Sequence, residues 1–243
     1  MRRAIALAGL SAALLALPSS VAASVSASLD VGVRLIEQPV SQPWEVDLLL
    51  GGALKATEEA LPATTHLAFR FPRATVNSAA TAGTCKAQPG VVGRLGVAVC
   101  PANSRIGAGT AHVRAGDETI EAKVTVYRGP GSDRRLTIFV KAEAGASLGI
   151  TVTMRGTLQR IADGGFGYRF DMPVPRIPFG TSAQVRLVDF ALDVGARRRG
   201  VPFIQAPRSC PKGGFPFSIA WTLEGGRTVT DRKSISCVIG AIT

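Results

Sequence analysis

Two histidines, His66 and His112, are the first candidates for catalysis, because imidazole is the commonest general base in enzymes. Ser104 and His112 form a conceivable nucleophile and base, but the sequence offers no third group to orient the imidazole. Each histidine also alternates with apolar neighbours, which predicts a position on the solvated face of a strand. The chain contains neither a G-x-S-x-G elbow nor an H-E-x-x-H motif. These observations favour a non-enzymatic binding or structural protein, and a secreted hydrolase with an unrecognised site is the alternative.

Acidic residues offer one further arrangement, since Asp189 and Asp193 fall on the same face of a predicted strand. Two carboxylates on one face can act as an acid and base pair or bind calcium. We favour the simpler interpretation that they form part of a solvated face. The sequence therefore predicts no cofactor and no metal site.

The chain has four cysteines, and an even number in an exported protein indicates disulfides. Three pairings are possible. We predict Cys85–Cys100 and Cys210–Cys237, because each pair brackets a short segment rich in turn residues. Closing a loop of this size stabilises a fold by about 3 kcal/mol in the chain-entropy model. A zinc site is the alternative, but the sequence has no C-x-x-C pair and no histidine near a cysteine.

The N-terminus has the features of a secretory signal peptide, which we place at residues 1–23. Arg2 and Arg3 are followed by the apolar run Ala4–Leu17, and Val21-Ala22-Ala23 supplies small residues for cleavage. The apolar run is shorter than the roughly 20 residues that a spanning helix needs, and no later segment is long and apolar enough. We therefore expect a secreted or envelope-associated protein without a transmembrane segment after cleavage.

The charge balance is basic, with 28 lysines and arginines against 17 acidic residues. Outside the cell, such a chain is attracted to anionic envelope polymers, or it uses its charge only for solubility. The clustered basic residues are the candidate contacts to an anionic envelope polymer or another surface protein: Arg134, Arg135, Arg197, Arg198 and Arg199. Nucleic acid is not an expected partner, because basic residues are not interleaved with aromatic ones.

The elements that must position these residues are predicted to be strands. Thr119–Tyr127 alternates apolar and polar residues, residues 128–133 favour a turn, and Arg135–Ala142 and Leu148–Met154 alternate again. These segments predict an antiparallel meander. Gly52–Leu61 is the only segment that resembles a short helix.

The C-terminal third predicts a hairpin. Phe217, Trp221 and Leu223 share one strand face, so we assign Trp221 to the core. The alternative is that Trp44 and Trp221 stack on sugar rings. A change of phase near Val188-Asp189 predicts a β-bulge.

The fold class that these patterns favour is all-β, an antiparallel β-sandwich of jelly-roll or immunoglobulin-like type with two local disulfides, after an N-terminal signal helix. We expect one domain over residues 24–243. Two small β-domains divided near residues 172–180, where prolines are frequent, are the alternative.

The most distinctive segment is Cys100–Ala111, which reads C-P-A-N-S-R-I-G-A-G-T-A. Its glycines permit close backbone packing, and a phosphate-binding loop is disfavoured because no lysine or helix follows. The motifs that accompany it are Leu61-Pro62, Phe71-Pro72 with Asn77, Cys85, Pro173, Pro207–Pro211 and Cys237.

This order of motifs over residues 60–240 resembles a family of secreted proteins without an assigned function that is common in actinobacteria and other high-GC bacteria. The resemblance implies an exported β-rich fold with two local disulfides, and it assigns no catalytic residue.

Overall fold

The computed structural model describes residues 24–36, 45–56, 61–77, 83–86, 89–144, 149–179, 183–198, 201–206 and 211–236. The predicted signal peptide, Trp44, Arg199, Cys210 and Cys237 lie outside the described residues. The predicted Cys210–Cys237 disulfide therefore stays a prediction.

The described chain is almost entirely β-strand. The first nine strands are β1 (Val25–Ile36), β2 (Glu45–Ala56), β3 (Thr64–Pro72), β4 (Thr75–Val76), β5 (Arg105–Ala115), β6 (Glu118–Ser132), β7 (Arg135–Ala144), β8 (Thr151–Asp163) and β9 (Phe166–Pro173). The others are β10 (Pro178–Phe179), β11 (Ala183–Gln184), β12 (Arg186–Val194), β13 (Arg197–Arg198), β14 (Val201–Pro202), β15 (Ile204–Gln205), β16 (Phe215–Leu223) and β17 (Thr228–Ile235). The helical elements are α1 (Pro89–Leu95) and the 3-10 turns Gly96–Val99 and Ala102–Ser104.

Thirteen strands form one antiparallel sheet in the order β17-β16-β3-β9-β8-β7-β6-β5-β12-β2-β15-β4, with β1 also paired to β2. Strands from before and after residues 172–180 share this sheet, since β3 lies between β9 and β16. The all-β antiparallel prediction is confirmed. The sandwich is not confirmed, because the hydrogen-bonded path continues through one sheet instead of dividing into two packed layers.

The sheet curls until its two ends, β1 and β17, lie side by side and give it the shape of a nearly closed barrel. Apart from the two-residue strands β4 and β15, eleven strands surround the interior. Each is antiparallel to its neighbour, and an odd number of them makes the two end strands parallel. Side-chain bonds follow this parallel register, since Asp231 meets Leu29 and Lys233 meets Asp30.

The antiparallel order gives the barrel two distinct ends. We call the open rim the end where β6 finishes at Ser132, β7 begins at Arg135 and β3 finishes at Pro72. The opposite end, where β1 begins at Val25 and β16 finishes at Leu223, is called the closed end.

Apolar side chains alternate into the barrel, and large ones fill its closed end. Trp221 and Ile219 are 0% exposed, which confirms the core assignment of Trp221. The Trp221 ring lies 5.7 Å from the ring of Phe190, which in turn lies 5.6 Å from that of Phe69. These rings and their apolar neighbours pack the closed end tightly.

The local predictions have mixed outcomes. The meander of β6, β7 and β8 is confirmed, and so is the bulge, since the register of β12 on β5 shifts between Leu187 and Asp189. The turn at residues 128–133 is displaced, because β6 continues to Ser132 through a register shift after Arg128. The helix suggested at Gly52–Leu61 is wrong over its described residues 52–56, which belong to β2. Gly52 lies inside β2, where an added Cβ would come within 2.8 Å of Phe190, so that glycine reflects packing.

The Cys85–Cys100 disulfide is confirmed. It anchors α1 on the outer surface of the barrel, where the cystine and Val92 pack against Phe139 of β7. Sequence patterns missed this helix, because its two glycines and two valines weaken its helical signal.

Candidate functional site

The barrel encloses a cavity of about 450 Å³ on the side of the open rim. Ligand pockets in proteins typically measure about 300–1,000 Å³. The cavity is lined almost entirely by aliphatic and aromatic side chains, and all eleven long strands contribute, including Val33, Leu48, Phe71, Val140, Leu158 and Phe170. Polar groups enter the lining at Tyr168 and Ser236.

Strand alternation explains why this lining is apolar. In β9, for example, Tyr168 and Phe170 face inward, whereas Arg169 and Asp171 face outward and pair with each other at 2.7 Å. The same alternation gives the outer surface its charged and hydroxyl side chains. An apolar space of this size holds water poorly, because water needs polar partners inside a protein.

The glycines of the distinctive Cys100–Ala111 segment lie where β5 approaches β12. An added Cβ at Gly109 would lie 1.9 Å from the carbonyl oxygen of Ala191, and one at Gly107 would lie 2.7 Å from that of Asp193. The glycines therefore permit the close backbone packing that the sequence predicted, and they leave no side chain on this part of the wall.

The open rim is partly covered by short segments. β3 ends at Pro72, and β4 begins after two further residues. β4 pairs with β15, which in turn pairs with β2 across the rim. Three strands of the wall separate β3 from β2, so the chain must cross the rim between them. Asn77 fixes this crossing, because its backbone amide donates to Phe203 O and its side-chain amide donates to Pro202 O, both at 2.9 Å.

A second depression of about 260 Å³ lies at the open rim beside the cavity. Its lining includes two arginines, Arg73 and Arg160. Ala74 and Tyr168 line both spaces, so the basic depression and the apolar cavity adjoin each other.

Three of the predicted polyanion contacts, Arg134, Arg135 and Arg197, lie at the same rim. Arg134 and Arg135 are exposed at the turn between β6 and β7, and the carbonyl of Arg134 accepts from the backbone amide of Arg160 at 2.8 Å. Arg197 follows β12 at this end and is exposed, whereas the side chain of Arg198 is outside the described part of the structure. Sequence reasoning found these exposed arginines but missed Arg73 and Arg160.

The conceivable pair of Ser104 and His112, which the sequence did not favour, does not form. His112 lies eight positions after Ser104, along the extended strand β5, which is roughly 26 Å at a rise of about 3.3 Å per residue. The Ser104 hydroxyl donates to Pro101 O at 2.6 Å and is fully buried, so it is a turn residue.

His112 instead meets Asp189 across the outer faces of β5 and β12. The Nδ1 and Oδ1 atoms are 2.7 Å apart, and the two side chains are 43% and 37% exposed. The hydrogen bond and the negative charge of Asp189 raise the pKa of His112. His66 lies 3.7 Å from Asp171, also on the outer surface. Both contacts lie on open sheet, away from the cavity.

The two aspartates of β12 do not act together. Asp189 pairs with His112, while Asp193 lies 3.4 Å from Arg34, which also contacts Asp47 at 3.6 Å. Burial, with the nearby Asp193 carboxylate, raises the pKa of Asp47. Among the described residues no group of three or more acidic, histidine or cysteine side chains is arranged to hold a metal ion.

None of the helices in the described part of the chain has the length and hydropathy of a membrane span. Comparison with known protein families, with curated proteins and with solved structures gives no match.

Proposed function

We propose that this chain is a secreted or envelope-associated binding protein that holds an apolar ligand inside its barrel. The cavity of about 450 Å³ carries the proposal, because a folded chain gains nothing from leaving this much apolar surface unpacked. A ligand that fills the space restores those contacts, and the tightly packed closed end makes the open rim the entrance.

Two observations support an extracytoplasmic location. The first is the signal-peptide pattern of residues 1–23, and the second is the Cys85–Cys100 disulfide, since disulfides persist mainly in oxidising compartments. A hydrolase gains less support, because both histidines meet their carboxylates on the outer sheet, away from the cavity.

The neutral fluorophore N-phenyl-naphthylamine tests the proposal, because its emission rises in an apolar site. We expect saturable binding to the mature protein with one site per chain. Val140→Trp places an indole in the cavity and should abolish the signal, whereas Thr125→Trp, on the outer face of the neighbouring strand, should not. Thermal melts establish that both variants are folded.

The outcomes separate the possibilities. Loss of binding in the folded Val140→Trp variant alone supports a ligand in the barrel. Equal binding by both variants, or no saturable binding by the wild-type protein, would falsify the proposal.

We propose separately that the rim arginines contact an anionic envelope polymer or a surface protein. Its support is that Arg134, Arg135 and Arg197 are exposed at one end of the barrel. Incubation of the mature protein with isolated envelopes at low and high salt tests it, since charge-driven binding weakens as salt screens the arginines. No binding at either salt contradicts it.

A further inference from the structure

The inward face of β8 changes from apolar to basic as it reaches the open rim. Met154 and Leu158 pack inward, and Leu158 lines the cavity. Arg160 is the next residue in this alternation, directly before a register shift, and it pairs with Tyr168 of β9. Its side chain is exposed, so the guanidinium lies where the cavity meets solvent.

Arg73 approaches the same place from β3. It follows the last residue of that strand and lies against β9, since an added Cβ at Gly167 would be 2.7 Å from the Arg73 Cα atom. Gly167 directly precedes Tyr168, which lines both the cavity and the depression. The two arginines therefore border one depression from opposite sides of β9.

Neither arginine is neutralised by the part of the protein that the structure describes. No ion pair among the described residues includes Arg73 or Arg160, whereas the nearby Arg70 pairs with Asp163 at 2.9 Å. A guanidinium has a planar set of donors that matches the oxygens of a carboxylate or phosphate. Two such groups beside an apolar cavity provide both halves of a site for an amphiphile.

We propose that the ligand is an amphiphile with an apolar chain in the cavity and a carboxylate or phosphate head group bound by Arg73 and Arg160. This inference rests on the proposed function, and it adds the polarity and charge of the ligand. The apolar chain of the ligand enters the cavity first, past Tyr168. The head group stays at the rim, where the two arginines neutralise its charge.

Four ligands with the same alkyl chain test the head group: dodecanoic acid, dodecyl phosphate, dodecanol and dodecyltrimethylammonium. Each is titrated into the mature protein with bound N-phenyl-naphthylamine, at concentrations below micelle formation, and displacement of the fluorophore is measured. We expect one or both anionic ligands to bind about tenfold more tightly than the alcohol, and the cation to bind most weakly. The anion that binds more tightly identifies the head group.

Arg73→Gln and Arg160→Gln should each weaken the anionic ligand about tenfold and leave dodecanol unchanged, because only the head group loses its partner. Arg105→Gln is the matched control, since it removes the same charge where β5 begins at the same rim, outside the depression. All three arginines are exposed, and melts verify the fold of each variant.

The results distinguish the two proposals. If dodecanol binds as tightly as the acid and the phosphate, the head-group site is overturned while an apolar ligand remains supported. If the fluorophore binds but no ligand displaces it, the head-group site is overturned. If the fluorophore itself does not bind, the proposed function fails as well. An equal loss in Arg105→Gln overturns the specific site, because it shows a diffuse effect of rim charge.

Discussion

The side-chain oxygen Oδ2 of Asp231 accepts a hydrogen bond from the backbone amide of Leu29 at 2.8 Å. It links β17 to β1, the two strands that meet where the sheet closes. The two strands do not form a backbone ladder, so partly buried amides along this edge need other acceptors. Asp231 supplies one, and Lys233 adds an ion pair to Asp30 at 2.8 Å. Side chains therefore close the barrel at this seam.

The first prediction concerns that seam. Asp231→Ala leaves the half-buried Leu29 amide without an acceptor and should lower the free energy of unfolding by about 1–3 kcal/mol. Asp231→Asn keeps a side-chain oxygen and should lose less. Urea unfolding monitored by tryptophan fluorescence measures both. Equal stability of Asp231→Ala and the wild-type protein would show that the seam does not depend on this bond.

The second prediction concerns the glycines of β5. Gly109→Ala forces a Cβ against the backbone of β12 and should cost about 1–3 kcal/mol, because a backbone carbonyl cannot turn aside as a side chain can. Gly90→Ala in α1 is the control, since nothing lies within 4 Å of its added Cβ. The control should be neutral or slightly stabilising. Thermal melts decide the matter, and a Gly109→Ala protein as stable as Gly90→Ala would refute the close packing.

Alternation along the strands predicted much of the fold correctly. It identified the inward faces, the β6–β8 meander and the bulge before Asp189, because these depend only on which residues share a face. It did not predict closure of the sheet. Closure depends on β1 meeting β17, a contact between distant parts of the chain that no local pattern encodes.

The cavity was beyond sequence reasoning for a related reason. Alternation shows that Leu158 and Val140 face inward, but whether inward side chains fill the barrel depends on its radius and on all their volumes together. Arg160 did leave a signal, because it continues the inward register of Met154 and Leu158 with a charge. A charged residue in the inward register near the end of a strand indicates a position at the rim. Arg73 left none, since only the fold brings it beside Gly167.

The third prediction is a pH dependence from His112. Its pKa in the folded protein is raised above the ordinary value of 6.5, mainly by the hydrogen bond to Asp189. The protonated histidine therefore stabilises the fold fully below pH 6.5, and this contribution is lost as the pH rises through the higher folded pKa. Because both side chains are well exposed, the effect should be small. Melting temperatures between about pH 5 and 9 measure it.

His112→Gln and Asp189→Asn each remove one partner of this pair and should flatten the same part of the pH profile. A profile that keeps its slope in both variants would assign the dependence to another group.

The last prediction separates the disulfide from the cavity. Cys85 and Cys100 close a loop across 15 positions, so replacing both with serine should lower the free energy of unfolding by about 3 kcal/mol in the chain-entropy model. The cystine packs with Val92 against Phe139 on the outer surface, whereas the cavity lies on the other side of the sheet. The variant should therefore bind N-phenyl-naphthylamine with wild-type affinity at temperatures where it is folded.

Phe139→Leu, which weakens the same outer cluster and leaves the disulfide intact, is the control for a general loss of packing. Loss of fluorophore binding in the folded double-serine variant, with binding retained in Phe139→Leu, would show that the disulfide maintains the shape of the cavity and would contradict the separation of the two.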